Sequence, residues 1–151
     1  MRTLTLGLVL LFGCHAAPEV KRPGTLMLSL SRGECFGACP MYVVEVWSDG
    51  LLKFKGERHV KIVEPIEVML DPATLDKLTA RLAQSSFSTW GNFLRPDMTD
   101  QPTVELTFNG KSVRHNHGDS SAPEEVKKLE DDVDAILGTD RWVNGTGTAT
   151  Q

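Results

Sequence analysis

Apolar and polar positions alternate through residues 25–31, with Leu26, Leu28 and Leu30 on one side, which predicts a half-buried strand. A loop with two cysteines and two glycines follows, up to Pro40. Alternation resumes from Met41 to Gly56 and predicts a hairpin. A two-residue Asp49-Gly50 turn would set Val46 against Lys53 and mix the core and solvent faces. A three-residue loop, Ser48-Asp49-Gly50, pairs Val46 with Leu52, Val44 with Phe54 and Glu45 with Lys53, so that Tyr42, Val44, Val46, Leu52 and Phe54 share one apolar face. Residues 58–70 read as a further strand or bent strand pair, broken at Pro65. Asp71-Pro72 then opens a helix, with Asp71 as N-cap, Pro72 in the first helical position and Leu75, Leu78 and Leu82 as the apolar stripe.

Residues 86–101 read as a long loop carrying Trp90, Phe93 and Asp100. Asn109-Gly110 is a two-residue hairpin signal. It pairs Phe108 with Lys111, Leu106 with Val113, Val104 with His115 and Glu105 with Arg114. In that register His115, and His117 two residues on, face the apolar side. Ser121 and Glu124 have the spacing of a capping box that opens a second helix, with Val126, Leu129, Val133 and Ile136 inward and Gly138 as its end. Trp142 is expected to fold back as a plug, and residues 144–151 to form a disordered tail. Strands joined by tight hairpins imply an antiparallel sheet, and helices with one apolar stripe each must cover one of its faces. The expectation is a single two-layer α+β domain over residues 25–143, a mainly antiparallel sheet with two helices on one face.

The first residues change the picture of where this domain works. A single cation, Arg2, precedes an apolar run from Leu4 to Phe12, then Gly13 and Cys14. The run is too short for a membrane-spanning helix and has the form of a secretory signal over residues 1–13. Leu11-Phe12-Gly13-Cys14 resembles the lipobox of bacterial lipoproteins, which implies that Cys14 carries lipid and begins the mature chain. Phe12 departs from the small residue usual in that motif. Residues 14–24 then act as lipidated cysteine and linker, and the membrane is a partner through the lipid. By analogy with other bacterial lipoproteins, His15 in place of an aspartate favours an outer-membrane lipoprotein facing the periplasm or the cell surface. With 16 Lys and Arg against 20 Asp and Glu, net charge −4, the chain lacks the basic face of a nucleic-acid binder.

The segment Ser31-Arg32…Cys35-Phe36-Gly37…Cys39-Pro40…Tyr42 resembles a bacterial family of predicted lipoproteins with a domain of unknown function, marked by Ser-Arg-x-x-Cys-Phe-Gly-x-Cys-Pro-x-Tyr. Asp49-Gly50, Gly56, Thr99-Asp100, Pro102-Thr103, Leu129-Glu130 and Arg141-Trp142-Val143 extend the resemblance over residues 25–143. It implies no activity or ligand.

Of the three cysteines, one goes to lipid, and an oxidising compartment favours a structural disulfide between Cys35 and Cys39. A thiol-redox role needs a helix N-terminus beneath the first cysteine, whereas residues after Pro40 alternate as a strand. A third reading follows from the similarity of Cys-x3-Cys-Pro to the copper segment of a thioredoxin-fold family that delivers copper to cytochrome oxidase. It makes Cys35, Cys39 and a histidine, His115 or His117, ligands to copper, although that family places its motif between a strand and a helix. His59 reads as a surface residue. The acidic run Glu124, Glu125, Glu130, Asp131, Asp132 and Asp134 reads as a solvated helix face rather than a calcium site, and Asp97 and Asp100 as polar loop residues. The leading functional reading is a non-enzymatic module that binds a protein or small-molecule partner around the stapled loop. Arg32, Tyr42 and Asp100 are the candidate surface, and an Arg32–Glu34 salt bridge is the alternative use of Arg32.

Overall fold

The computed structural model describes residues 24–95, 97 and 100–146. The expected signal segment, Cys14, the linker up to residue 23 and the last five residues of the expected tail lie outside the described residues. Six strands form one sheet: β1 (Leu26–Arg32), β2 (Met41–Trp47), β3 (Leu51–Arg58), β4 (Ile66–Met69), β5 (Thr103–Phe108) and β6 (Lys111–Asn116). Their order is β4-β3-β2-β1-β5-β6, and every pair is antiparallel. The helices α1 (Pro72–Ala83), α2 (Glu124–Leu137) and the short α3 (Asp140–Val143) complete the fold. The α+β expectation holds, with β1 in the middle of the sheet and β6 at one edge.

Both hairpin registers agree with the alternation argument. Val46 stands opposite Leu52, Glu45 opposite Lys53 and Val44 opposite Phe54, and Gly50 closes the loop at φ +88°. In the second hairpin Val104 faces His115, Glu105 Arg114 and Leu106 Val113. Asn109 and Gly110 both take positive φ, the requirement of a type I′ turn. One face of the sheet is apolar and sealed, with Leu28, Leu30, Val44, Val46, Leu52, Phe54, Val104 and Leu106 all nearly inaccessible. Leu78 and Leu82 from α1, and Leu129, Val133 and Leu137 from α2, lie on the same core.

The caps differ from each other. Asp71 accepts the Thr74 N–H at 2.9 Å, and Pro72 occupies the first turn as expected. The expected capping box at Ser121 does not form. The Ser121 N–H and hydroxyl both donate to the Asp119 carboxylate, at 2.9 and 2.7 Å, a local turn that competes with capping. The helix therefore starts at Glu124 behind Pro123. The 86–101 loop contains a single 3₁₀ turn, Phe87–Thr89, and Phe93 bridges to His115 in parallel fashion.

Trp142 folds back onto the core as expected, with its ring centroid 4.9 Å from that of Phe54. The chain between β3 and β4 secures it: Lys61 and Ile62 donate their backbone N–H groups to the carbonyls of Val143 and Trp142. Gly56 makes this crossing possible, since a Cβ there would lie 2.1 Å from the Ile62 carbonyl oxygen. Gly56→Ala is therefore expected to cost about 2 kcal/mol of stability through forced backbone displacement. An unchanged denaturant midpoint would show that the crossing segment yields freely.

Candidate functional site

The inner face of α2 is not wholly apolar. At a helical period of about 3.6 residues, Val126, Glu130, Val133 and Leu137 lie along one stripe with Leu129, and all five are buried. The acidic run is thus not one solvated face. Glu130 is 2% exposed, Asp134 is largely covered, and Glu125, Asp131 and Asp132 hold cations. Arg81 of α1 reaches Glu125 at 2.6 Å and Asp132 at 2.7 Å, which ties the two helices together.

Opposite Glu130, the strand alternation aims His115 and His117 inward as expected. Their rings are 5.1 Å apart. His115 Nδ1 lies 3.0 Å from one Glu130 carboxylate oxygen and His117 Nε2 lies 3.1 Å from the other. The rings of Phe93 and His115 meet near right angles, 6.5 Å between centroids, and the Phe93 backbone is bonded to Arg114 and Asn116 on either side, so the long loop covers this end of β6. Burial by itself would push the Glu130 carboxyl up, but the hydrogen bonds from the two imidazoles outweigh it and hold it below the usual glutamate value. The sign follows. A carboxyl with a lowered folded value contributes stability in full above the ordinary glutamate value and loses it as the pH falls from there through the lowered folded value. Glu130→Gln is expected to flatten the fall in stability below the ordinary glutamate value; a profile parallel to the wild type would refute the assignment.

One helical turn along, Asp134 meets the end of β1. Arg32 Nε donates to Asp134 Oδ2 at 2.7 Å and to the Tyr42 hydroxyl at 3.1 Å, and Arg32 Nη2 reaches Asp131 at 3.1 Å. The Thr139 hydroxyl donates to the other Asp134 oxygen at 2.7 Å. Burial and the Asp134 charge both push the Tyr42 phenol well above its usual value. For Arg32, burial opposes the charge, yet Asp134 wins and the guanidinium stays firmly protonated. Arg32 therefore does not pair with Glu34. It continues the inward face of Leu28 and Leu30, whereas Glu34 lies exposed beyond the strand and approaches Arg58 only at 3.9 Å.

The chain leaving Arg32 forms the third feature. Cys35 and Cys39 are joined by a disulfide, with their Cα atoms 5.8 Å apart. The loop is anchored from outside by Gly33 N–H to the Thr103 carbonyl and Phe36 N–H to that of Asp100. Phe36, between the two cysteines, is 88% exposed. β2 begins directly after Pro40, so the chain that follows the sulfurs is a strand and not the start of a helix.

The three expected surface residues thus have different fates. Asp100 is exposed and supports the stapled loop through its carbonyl, while Arg32 and Tyr42 are turned into the α2 interface and Tyr42 is buried. The structure brings His115 and His117 together as proposed for a metal site, but with Glu130. Among the described residues the metal-competent group is His115, His117 and Glu130, and Cys35 and Cys39 are bonded to each other instead. Asp97 pairs with Arg95, and His59 is exposed. Two residues were not singled out by sequence reasoning. Glu130 carries a legible signal, its place in the buried stripe; Phe36 carries another, since a ring closed over so few residues has no interior to hide it. The family whose pattern matches the chain, over residues 26–137, is described as a domain of unknown function (DUF6438). No curated protein matches.

Proposed function

The chain belongs to the DUF6438 family, and from that premise we propose that it is an exported, lipid-anchored binding module, not an enzyme, that engages a protein partner through the stapled loop. The observation that carries this reading is Phe36: a large aromatic side chain held in solvent on a loop closed by a disulfide. Burying an aromatic ring is worth several kcal/mol, and a fully exposed one in a rigid loop is matched to a pocket on another molecule. The loop is convex. Small-molecule sites are concave, so the partner is a protein that offers the cavity. The disulfide contributes about 2 kcal/mol by loop entropy, and its larger effect is to pre-organise the loop so that little ordering is lost on binding.

The anchor follows from the first residues. Arg2, the apolar run and Gly13-Cys14 support cleavage before Cys14 and lipidation of its sulfur, and His15 supports retention in the outer membrane on the periplasmic side. The residues between Cys14 and β1, fully extended, would let the domain stand at most about 40 Å from the lipid surface. The partner is then itself exported or membrane-bound.

Two experiments test the reading. Cys14→Ser is expected to move the protein from the membrane to the soluble fraction; continued membrane association would remove the anchor. A photoreactive phenylalanine analogue at Phe36 is expected to give one discrete protein adduct in the producing cell. The same probe at Met69, also exposed but beside Leu51 at the other end of the sheet, should not give that adduct. The adduct should fade in the Cys35→Ser/Cys39→Ser variant. No adduct at position 36, or the same adduct from both positions, would refute the proposal. Phe36→Ala should leave stability within about 0.5 kcal/mol, so that any loss of binding is not a loss of fold.

A further inference from the structure

The His115–Glu130–His117 cluster is a buried, titratable constellation that the proposed binding loop does not use. We propose that these three residues form a binding site for one divalent transition-metal ion, with zinc(II) the best match. The ligand atoms are His115 Nδ1, His117 Nε2 and a carboxylate oxygen of Glu130. One ligand atom from each of the three residues lies within 4.8 Å of the other two; His115 Nδ1 is 3.0 Å from one Glu130 oxygen and His117 Nε2 is 3.1 Å from the other. In a tetrahedral zinc site with bonds of about 2.0–2.1 Å, neighbouring ligand atoms stand about 3.3 Å apart. Side-chain rotations that draw the two nitrogens and one carboxylate oxygen together from within 4.8 Å would place an ion at their common centre.

The chemistry of the donor set points the same way. Two imidazoles and one carboxylate suit borderline ions such as zinc, whereas calcium and magnesium prefer oxygen alone. On binding, each neutral imidazole places its proton on the ring nitrogen away from the metal, and two hydrogen bonds to Glu130 give way to two nitrogen–metal bonds. The carboxylate keeps one negative charge against the ion's two positive ones. Three protein ligands leave a fourth position for water or an outside donor.

The fold supplies rigidity and access. Glu130 is fixed in the packed stripe of α2 and His115 in the ladder of β6, where its ring lies near perpendicular to that of Phe93. His117 lies just past the end of β6 on the sheet's edge strand, and its side chain is 18% exposed, so the ion has a route from solvent. The cysteines take no part, which distinguishes this site from a thiolate-based copper site and makes it independent of the state of Cys35 and Cys39.

The test is calorimetric titration of zinc(II) into the chelator-treated full chain. We expect saturable binding of one ion per chain and a rise in the thermal midpoint, and cobalt(II) in its place should show the visible bands of tetrahedral coordination. His117→Ala, at the least buried ligand, should weaken zinc binding by about 100-fold or more while circular dichroism shows the fold intact. Glu130→Gln should do the same with a nearly unchanged side-chain shape, and His59→Ala should bind as the wild type does. Absence of one-to-one binding, or equal binding in the His117→Ala and Glu130→Gln variants, would overturn the site. Neither outcome bears on the Phe36 loop, so the two proposals stand or fall separately.

Discussion

Phe54→Ala is expected to lower the free energy of unfolding by about 4 kcal/mol, among the largest losses available to one substitution in this domain. Phe54 is 1% exposed, and its ring lies 5.4 Å from that of Tyr42 and 4.9 Å from that of Trp142. Truncation removes the transfer free energy of a whole aromatic side chain and leaves a cavity that rigid strands cannot close. The damage should extend beyond the sheet. Trp142 loses its stacking partner, and the carbonyls of Trp142 and Val143 hold the backbone of Lys61 and Ile62, so amide exchange at Lys61 and Ile62 should accelerate more than at Leu30. With domain stabilities of about 5–15 kcal/mol, a loss below about 1 kcal/mol would mean that the three-ring stack does not couple the C-terminal segment to the sheet.

The second large effect concerns a charge. Arg32→Ala is expected to cost about 3 kcal/mol, because it leaves the Asp134 carboxylate in a covered interface with only Thr139 and Tyr42 to answer it. The side chains of Arg32 and Asp134 are 15% and 16% exposed, too covered to be treated as a surface pair of small value. Arg32→Lys keeps the charge but not the fork that meets Asp134, Asp131 and Tyr42 together, and should recover only part of the loss. A double-mutant cycle with Asp134→Asn, read by denaturant unfolding, should give a coupling of at least about 1 kcal/mol. A coupling near zero would return Arg32 to the role of a surface residue available to a partner. Because this network braces the base of the loop that presents Phe36, Arg32→Ala should also weaken the photoadduct at position 36.

The contrast between Glu130 and Phe36 shows where reading the chain stops. Glu130 falls on the buried stripe by its spacing, yet an acid in a run of acids reads as solvated, since nothing local reveals two histidines waiting on another element. Arg32 continues the inward alternation of β1, but its partner is about a hundred residues away along the chain. Ser121 has the spacing of a capping box, and a nearer acid, Asp119, captures it first. In each case the local pattern named the residue and a competing or distant partner decided its use.

What the sequence determined by itself was an antiparallel sheet and the registers of its two hairpins. Alternation, turn chemistry and helix signals act over a few residues, and a slip of one position would turn every core side chain to water. It also determined that His115 and His117 face inward, which follows from register alone. Only the tertiary structure decided what those inward groups meet: Glu130 rather than a cysteine, Asp134 rather than Glu34, Phe36 turned to solvent. Buried polar groups must find partners wherever packing places them, and packing joins residues that no local spacing relates.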